Sequence, residues 1–135
     1  MTTAAADHVT TVRNYLAAVE RLQDVDEVVS FWHPEGIFEE LPNAISPRGS
    51  TRDRSTLVKS FGHAKTLIAT QRNEVVNIFG AGDQVLVEFV WTGTLAIDAG
   101  PLRAGETLRA RCAGVFTMRD GLIYRQRQYD CYDPR

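Results

Sequence analysis

The stretch that most constrains the fold is 107–132, which reads as two strands joined at Arg119-Asp120-Gly121. Gly121 stands where a three-residue hairpin loop needs a left-handed residue. That loop predicts the pairs Met118–Leu122, Phe116–Tyr124, Gly114–Gln126, Cys112–Gln128 and Ala110–Asp130. Side chains alternate faces along a strand. One face therefore carries Leu108, Ala110, Cys112, Gly114, Phe116, Met118, Leu122, Tyr124, Gln126, Gln128 and Asp130. The other carries Arg109, Arg111, Arg125 and Arg127. Four arginines cannot form a dry core, because an isolated buried charge is very costly. The odd-numbered face is expected to meet solvent or a partner, and the even-numbered face to meet the helices. A bulge would shift this register.

The even-numbered face sets polar groups against the smallest side chains. Gln126, Gln128 and Asp130 oppose Gly114, Cys112 and Ala110, where a packed core would hold bulk. Small residues leave room, and polar groups line it for a ligand. The alternative is an internal hydrogen-bond network, or a sheet end that reaches solvent.

The first half of the chain reads as helical. Val9, Val12, Tyr15, Leu16, Val19 and Leu22 form one apolar stripe at helical spacing, with Thr2, Thr3 or Asp7 as the cap. Asp24-Val25-Asp26-Glu27 has capping-box spacing. Val28, Val29, Phe31 and Trp32 supply the apolar face of this second helix, which Pro34 and Gly36 end. A short strand is expected over Ile37–Leu41, a loop over Asn43–Ser50, and a third helix from Asp53 to Ile68 with Leu57, Phe61, Ala64 and Ile68 on one face. Strands follow at Glu74–Phe79, Gln84–Ile97, Thr107–Met118 and Leu122–Tyr132. Helices early and hairpins late give an α+β class, with three N-terminal helices packed on an antiparallel sheet.

At 135 residues the chain fits one domain, 1–135. Its net charge of −2 argues against a nonspecific nucleic-acid binder. No apolar run approaches the roughly 18 residues of a membrane span. Met1–His8 lacks the basic start and apolar run of a secretory signal. With two cysteines, Cys112 and Cys131, expected on opposite faces of the hairpin, the chain reads as cytoplasmic with free thiols. Gly80-Ala81-Gly82 lacks the rest of a dinucleotide loop. His8, His33 and His63 have no metal-ligand spacing, and no Gly-x-Ser-x-Gly elbow exists. Neither a metal nor a cofactor is expected.

Tyr15 lies on the apolar stripe, so its hydroxyl should point inward and find a partner. Glu40 follows Phe38 by two, so both face the core if either does. An inward carboxylate would have a raised pKa, which suits a general base or acid near neutrality. Glu88 interrupts Val85–Val90; it either joins the polar lining or, because Val85, Val87, Phe89 and Trp91 share a face, lies outside.

The order α-α-β-α followed by antiparallel hairpins, from about Val9 to Asp133, resembles the nuclear transport factor 2-like cone fold, a roll of curved sheet closed by helices. Val12–Val19 is similar to the first helix of ketosteroid isomerases, which makes Tyr15 an oxyanion donor by resemblance. Phe38-Glu39-Glu40-Leu41-Pro42 resembles the segment carrying the isomerase base, which falls on Glu40. Gly114-Val115-Phe116, Arg119–Ile123 and Arg127-Gln128-Tyr129 resemble the last strands of limonene epoxide hydrolase. The isomerase's second oxyanion donor falls near Gly114, the hydrolase's Arg-x-Asp pair near Glu88-Phe89-Val90 and its last acid at Gln128. Polyketide cyclases of this fold use an inward carboxylate, a role open to Asp130 and Glu40.

The resemblance implies a small acid/base enzyme without cofactor or metal, of isomerase, cyclase, dehydratase or hydrolase type, acting on a hydrophobic small molecule in the cone. Tyr15, Glu40 and Asp130 would be catalytic. Trp32, Phe38, Phe61, Glu88, Cys112, Phe116, Met118, Gln126 and Gln128 would line the site. The alternative is a non-catalytic small-molecule-binding or assembly domain of the same fold. The outer face, mixing arginines with Val115, Ile123 and Tyr129, is expected to form a homodimer.

Overall fold

A computed structural model describes residues 2–135. Helix α1 spans Thr3–Arg21, and the Thr2 hydroxyl caps it by accepting from the Ala5 N–H at 3.1 Å. Leu22 ends α1 in the left-handed region, at φ 37°, with its N–H on the Ala18 carbonyl. A non-glycine residue there costs roughly 1–2 kcal/mol, which burial of the leucine side chain offsets. Helix α2 is only Val25–Val29, capped by Asp24 on the Asp26 N–H.

The expected second helix is therefore cut short, because Trp32 already belongs to strand β1, Trp32–Glu40. Gly36 permits this. A Cβ at Gly36 would stand 2.7 Å from the Trp32 ring and 3.0 Å from the Ile123 carbonyl oxygen. The chain then forms β2 (Ser50–Asp53), α3 (Arg54–Leu67), β3 (Ile68–Ala81), β4 (Gln84–Leu95), β5 (Thr107–Arg119) and β6 (Leu122–Tyr132).

The strands form one curved six-stranded sheet in the order β2-β1-β6-β5-β4-β3. Two expectations are corrected. The sheet is mixed, since β1 runs parallel to β6. Only α1 and α2 precede the sheet, while α3 connects β2 to β3. Strand β2 begins at Ser50, the last residue of the expected loop, and pairs with β1, Glu40 opposite Ser50 and Phe38 opposite Arg52.

The β5–β6 hairpin turns on two residues rather than three. Asp120 and Gly121 both have positive φ, 54° and 74°, as a type I′ turn requires. A bulge at Tyr124 follows, where the register shifts between Thr117 and Met118. Phe116 consequently faces Gln126, Gly114 faces Gln128, and Cys112 faces Asp130. Each pair is two residues from the expected alignment, so the faces of the hairpin body are unchanged. At the tip the bulge turns Ile123, rather than Leu122 or Tyr124, into the core.

Tyr15, Trp32, Phe116, Val85, Val87 and Ile123 belong to one buried cluster between α1, α2 and the inner face of the sheet. Arg109 and Arg111 are exposed on the outer face. Cys112 is buried and Cys131 exposed, both free. No helix is long and apolar enough to cross a membrane among the described residues.

Two glycine substitutions should move stability in opposite directions. Gly36→Ala is expected to lose about 1–3 kcal/mol in urea denaturation. Gly62→Ala, inside α3 with nothing within 4 Å of the added methyl, should gain roughly 0.5–1 kcal/mol.

Candidate active site

Beneath α3 a cavity of about 610 Å³ opens between that helix, the second half of α1 and the inner face of the sheet. Leu16, Phe38, Phe61, Leu67, Phe89 and Trp91 supply an apolar wall. Tyr15, Glu40, Arg52, Gln126, Gln128 and Asp130 supply the polar groups.

The β1–β2 hairpin brings the first polar group together. Phe38 and Glu40 share the inner face, so their partners Arg52 and Ser50 share it too. One oxygen of Glu40 accepts from the Arg52 guanidinium at 2.8 Å and from the Ser50 hydroxyl at 3.2 Å. The other accepts from the Asn43 amide at 2.9 Å. Arg52 also stands 5.3 Å from the centre of the Phe38 ring. Glu40 is thus held as an ion-paired carboxylate with both oxygens engaged, rather than as the bare inward acid expected.

The second group lies on β6. Gln126, Gln128 and Asp130 point the same way, and a chain of side-chain hydrogen bonds links them. Gln126 Nε2 donates to Gln128 Oε1, and Gln128 Nε2 donates to Asp130 Oδ1, each at 2.9 Å. Asp130 has no ion-pair partner among the described residues.

Around these carboxylates sit three groups held in their protonated forms. Burial pushes the Tyr15 hydroxyl far above the usual tyrosine range, with the Trp32 indole and the Arg52 charge acting the other way. Burial and then the Asp130 charge raise the Cys112 thiol, so it is no thiolate nucleophile at neutral pH. Burial, then Asp130 and Glu40, raise the Tyr132 hydroxyl.

Of the residues expected at the site, Tyr15, Glu40, Asp130, Phe38, Phe61, Cys112, Gln126 and Gln128 line this one cavity. The remaining four do not. Trp32, Phe116 and Met118 are core residues behind the wall, 1%, 0% and 3% exposed. Glu88 lies on the outer face, exposed and bonded by the Asn77 amide at 3.2 Å. The alternation that puts Val85, Val87 and Phe89 inside puts Glu88 outside.

Sequence reasoning missed Arg52, because 43–50 reads as a loop running straight into a helix. It also missed Trp91, Tyr132 and His63 on the lining. The tryptophan and tyrosine had a usable signal, since both share the parity of inward residues on their strands. No group of His, Cys, Asp and Glu side chains arranged to hold a metal occurs among the described residues.

The ion pair should be measurable as a coupling. In a double-mutant cycle of Glu40→Gln and Arg52→Met, followed by urea denaturation, the expected interaction energy is about 1–2 kcal/mol. A coupling near zero would mean that solvent screens the pair.

Residues 12–126 match the SnoaL-like domain. No curated protein matches the sequence significantly. Among solved structures, the chain is similar to IdmH from Streptomyces antibioticus, a candidate polyketide cyclase, at 20% identity and a TM-score of 0.74, with 91% of each chain covered. It is similar to an epoxide hydrolase of limonene-hydrolase type from M. tuberculosis, at 19% identity and a TM-score of 0.73, covering 96% of this chain and 84% of that one. It also resembles TerC, crystallised with polyporic acid, at 19% identity and a TM-score of 0.71, covering 92% of this chain and 91% of that one. At these identities the structural likeness speaks for the fold. With the family match extending over most of its length, the chain belongs to the SnoaL-like domain family of the nuclear transport factor 2-like superfamily.

Proposed function

We propose that this protein is a small-molecule enzyme that moves a proton on an apolar carbonyl compound bound in the cavity, with Asp130 as the base. The observation that carries this reading is the unequal treatment of the two carboxylates. Both oxygens of Glu40 are engaged by donors, one of them the Arg52 guanidinium. Asp130 receives one side-chain hydrogen bond, on Oδ1. A carboxylate with a free oxygen and no paired cation can accept a proton from carbon at little cost in lost contacts.

Glu40 and Gln128 are side by side in the β1–β6 pair, so Asp130 stands one diagonal step from Glu40, roughly 7–8 Å away. Glu40 then fixes Arg52 at the cavity edge. Arg52 and the protonated Tyr15 hydroxyl supply positive charge and a donor for the oxyanion that forms as the proton leaves. The fate of the enolate decides the reaction. Return of the proton at a different carbon is isomerisation. Attack on a second carbonyl carbon, whose oxygen takes the proton, is ring closure. Expulsion of a β-hydroxyl with the proton is loss of water. That outcome depends on the ligand's own skeleton. By the resemblance, the hydrolase's Arg-x-Asp pair falls near Glu88-Phe89-Val90, where Glu88 faces outward, and its last acid falls at Gln128, an amide.

A model ketone tests the base without knowledge of the natural substrate. In D₂O, wild-type protein should accelerate deuterium uptake at the acidic carbon of 2-tetralone, followed by NMR. Asp130→Asn should reduce that rate by about 10² or more with the fold retained by circular dichroism. Uptake no faster than with Asp130→Asn would overturn the catalytic reading and leave a binding domain.

The quaternary state we infer is a homodimer through the outer sheet face. One row across the sheet runs Phe79, Leu86, Val115, Arg127 and Glu39. The next row carries Glu88 and Tyr129, the latter 44% exposed. Apolar centres flanked by both signs of charge fit a two-fold copy, which sets arginines against glutamates. Sedimentation at micromolar concentration should give a dimer that Val115→Glu dissociates; a wild-type monomer overturns the inference.

A further inference from the structure

We propose that Trp91 is a stacking platform that makes the cavity selective for ligands carrying a planar, conjugated ring. The proposal deepens the reading of the cavity as a small-molecule site and rests on it, though not on Asp130 acting as a base.

Gly93 is the bed on which the indole lies. Trp91 and Gly93 are two residues apart on β4 and share its inner face. A Cβ at Gly93 would stand 2.3 Å, 2.5 Å and 3.1 Å from Cζ2, Cη2 and Cε2 of the indole. A ring meeting the glycine edge-on would bring two atoms this near and hold the third farther off. The indole therefore turns a face to Gly93. Ala110, opposite Trp91 on β5, is the second small residue of this bed.

Two neighbours hold the indole flat. Its Nε1–H donates to Gln71 Oε1 at 2.9 Å, and the Gln71 NH₂ donates to the Val19 carbonyl of α1 at 2.7 Å. An indole N–H only donates and a carbonyl only accepts, so Gln71 can face just one way. On the other side Tyr132, paired with Ala110, stands upright beside the ring, 6.3 Å away at 80°. No other aromatic ring pairs with the indole among the described residues. With one face on the strand and its rim between Gln71 and Tyr132, the indole keeps its second face for the cavity. Trp91 lines that cavity and is only half-buried.

An aromatic face gains more from a second conjugated ring than from the area alone. A puckered, saturated ring touches a flat face through fewer atoms. A cation would also be drawn to the face, but the apolar cluster beside it is Leu67, Leu95, Leu102 and Leu108, where an unpaired charge is costly. The fitting occupant is a neutral conjugated ring. Phe89, Cys112 and Asp130 form the row next to Trp91, Ala110 and Tyr132. Asp130 is thus two strands across and one inward step along from Trp91, roughly 10 Å and 7 Å. The ring on Trp91 belongs to the far part of a ligand whose acidic carbon meets Asp130.

The test uses 2-naphthol and trans-decahydro-2-naphthol, which share a carbon skeleton and a hydroxyl and differ in planarity. Dissociation constants come from titration calorimetry, and the indole protons are followed by NMR. Trp32, 1% exposed in the core, is the internal reference. Wild-type protein should bind the naphthol about three- to tenfold more tightly than the saturated alcohol. The Trp91 ring protons should move upfield, as protons under a stacked ring do. Trp91→Leu should bring the ratio to one or below. Gly93→Ala keeps the tryptophan but fills its bed, and should lower the ratio at least twofold with the fold retained by circular dichroism.

Equal binding of the two alcohols by wild-type protein overturns the platform and leaves the small-molecule reading standing. Binding of neither overturns both. A preference that survives Trp91→Leu, or a downfield shift of the Trp91 protons, also overturns the platform. A preference intact in a folded Gly93→Ala protein overturns the role of the bed. Should Gly93→Ala fail to fold, wild-type protein and Trp91→Leu still decide the matter. Loss of deuterium exchange with the ring preference intact would count against the catalytic reading alone.

Discussion

The register of the β5–β6 hairpin decides what the cavity contains. Two positive-φ residues, Asp120 and Gly121, close the turn, and the bulge at Tyr124 adds one residue to β6 before the regular ladder begins. The added residue puts even positions opposite even positions, so Gln126, Gln128 and Asp130 look inward together with Cys112, Gly114 and Phe116. A slip of one residue on β6 would exchange this set for Arg125, Arg127 and Tyr129. The hydrogen-bonded amides, the free carboxylate and the arginine-rich outer face are three results of one alignment.

Room for those polar side chains comes from what stands opposite. A Cβ at Gly114 would lie 3.1 Å from Gln128 Oε1 and 2.9 Å from the Phe116 ring. Any larger residue there would push on the middle link between Gln126 and Asp130. Ala110 and Cys112 continue the same relief along β5. The sheet therefore gives up packing at one end to keep an open wall, while Trp32, Phe116 and Met118 fill the other end completely.

This division explains what the sequence made legible. Parity along β5 and β6 survived an error of two residues in the predicted pairing, because faces depend only on odd or even. The same parity placed Phe38 and Glu40 on one face, and both reach the cavity. Size and polarity did not separate wall from core: Trp32, Phe116 and Met118 are apolar and inward, yet only depth in the cone decides whether a ligand meets them. Arg52 was illegible for a different reason. Its contact with Glu40 depends on a four-residue strand whose sequence, Ser50-Thr51-Arg52-Asp53, reads equally well as the approach to a helix. The parallel run of β1 beside β6 joins segments some ninety residues apart, and no local pattern encodes it.

The cavity also leaves its mark on α3. Of that helix only Leu57 is fully buried, while Phe61, Ala64 and Leu67 form a half-covered apolar face over open space. In a protein whose helix served packing alone, that face would be matched by side chains of the sheet, to interior density. Here the sheet offers Asp130, the two glutamines and small residues instead. The missing contacts are ones a bound molecule can restore, covering Phe61 and Leu67 on one side and Phe89 and Trp91 on the other. On the function proposed above, binding would add to folding stability in proportion to the logarithm of ligand excess over its dissociation constant. A domain with α3 supported in this way has its weakest packing at the place where a ligand contributes most. Helix and cavity are accordingly one unit: of α3 only Leu57 is fully buried, and the rest of its apolar face forms a wall of the cavity.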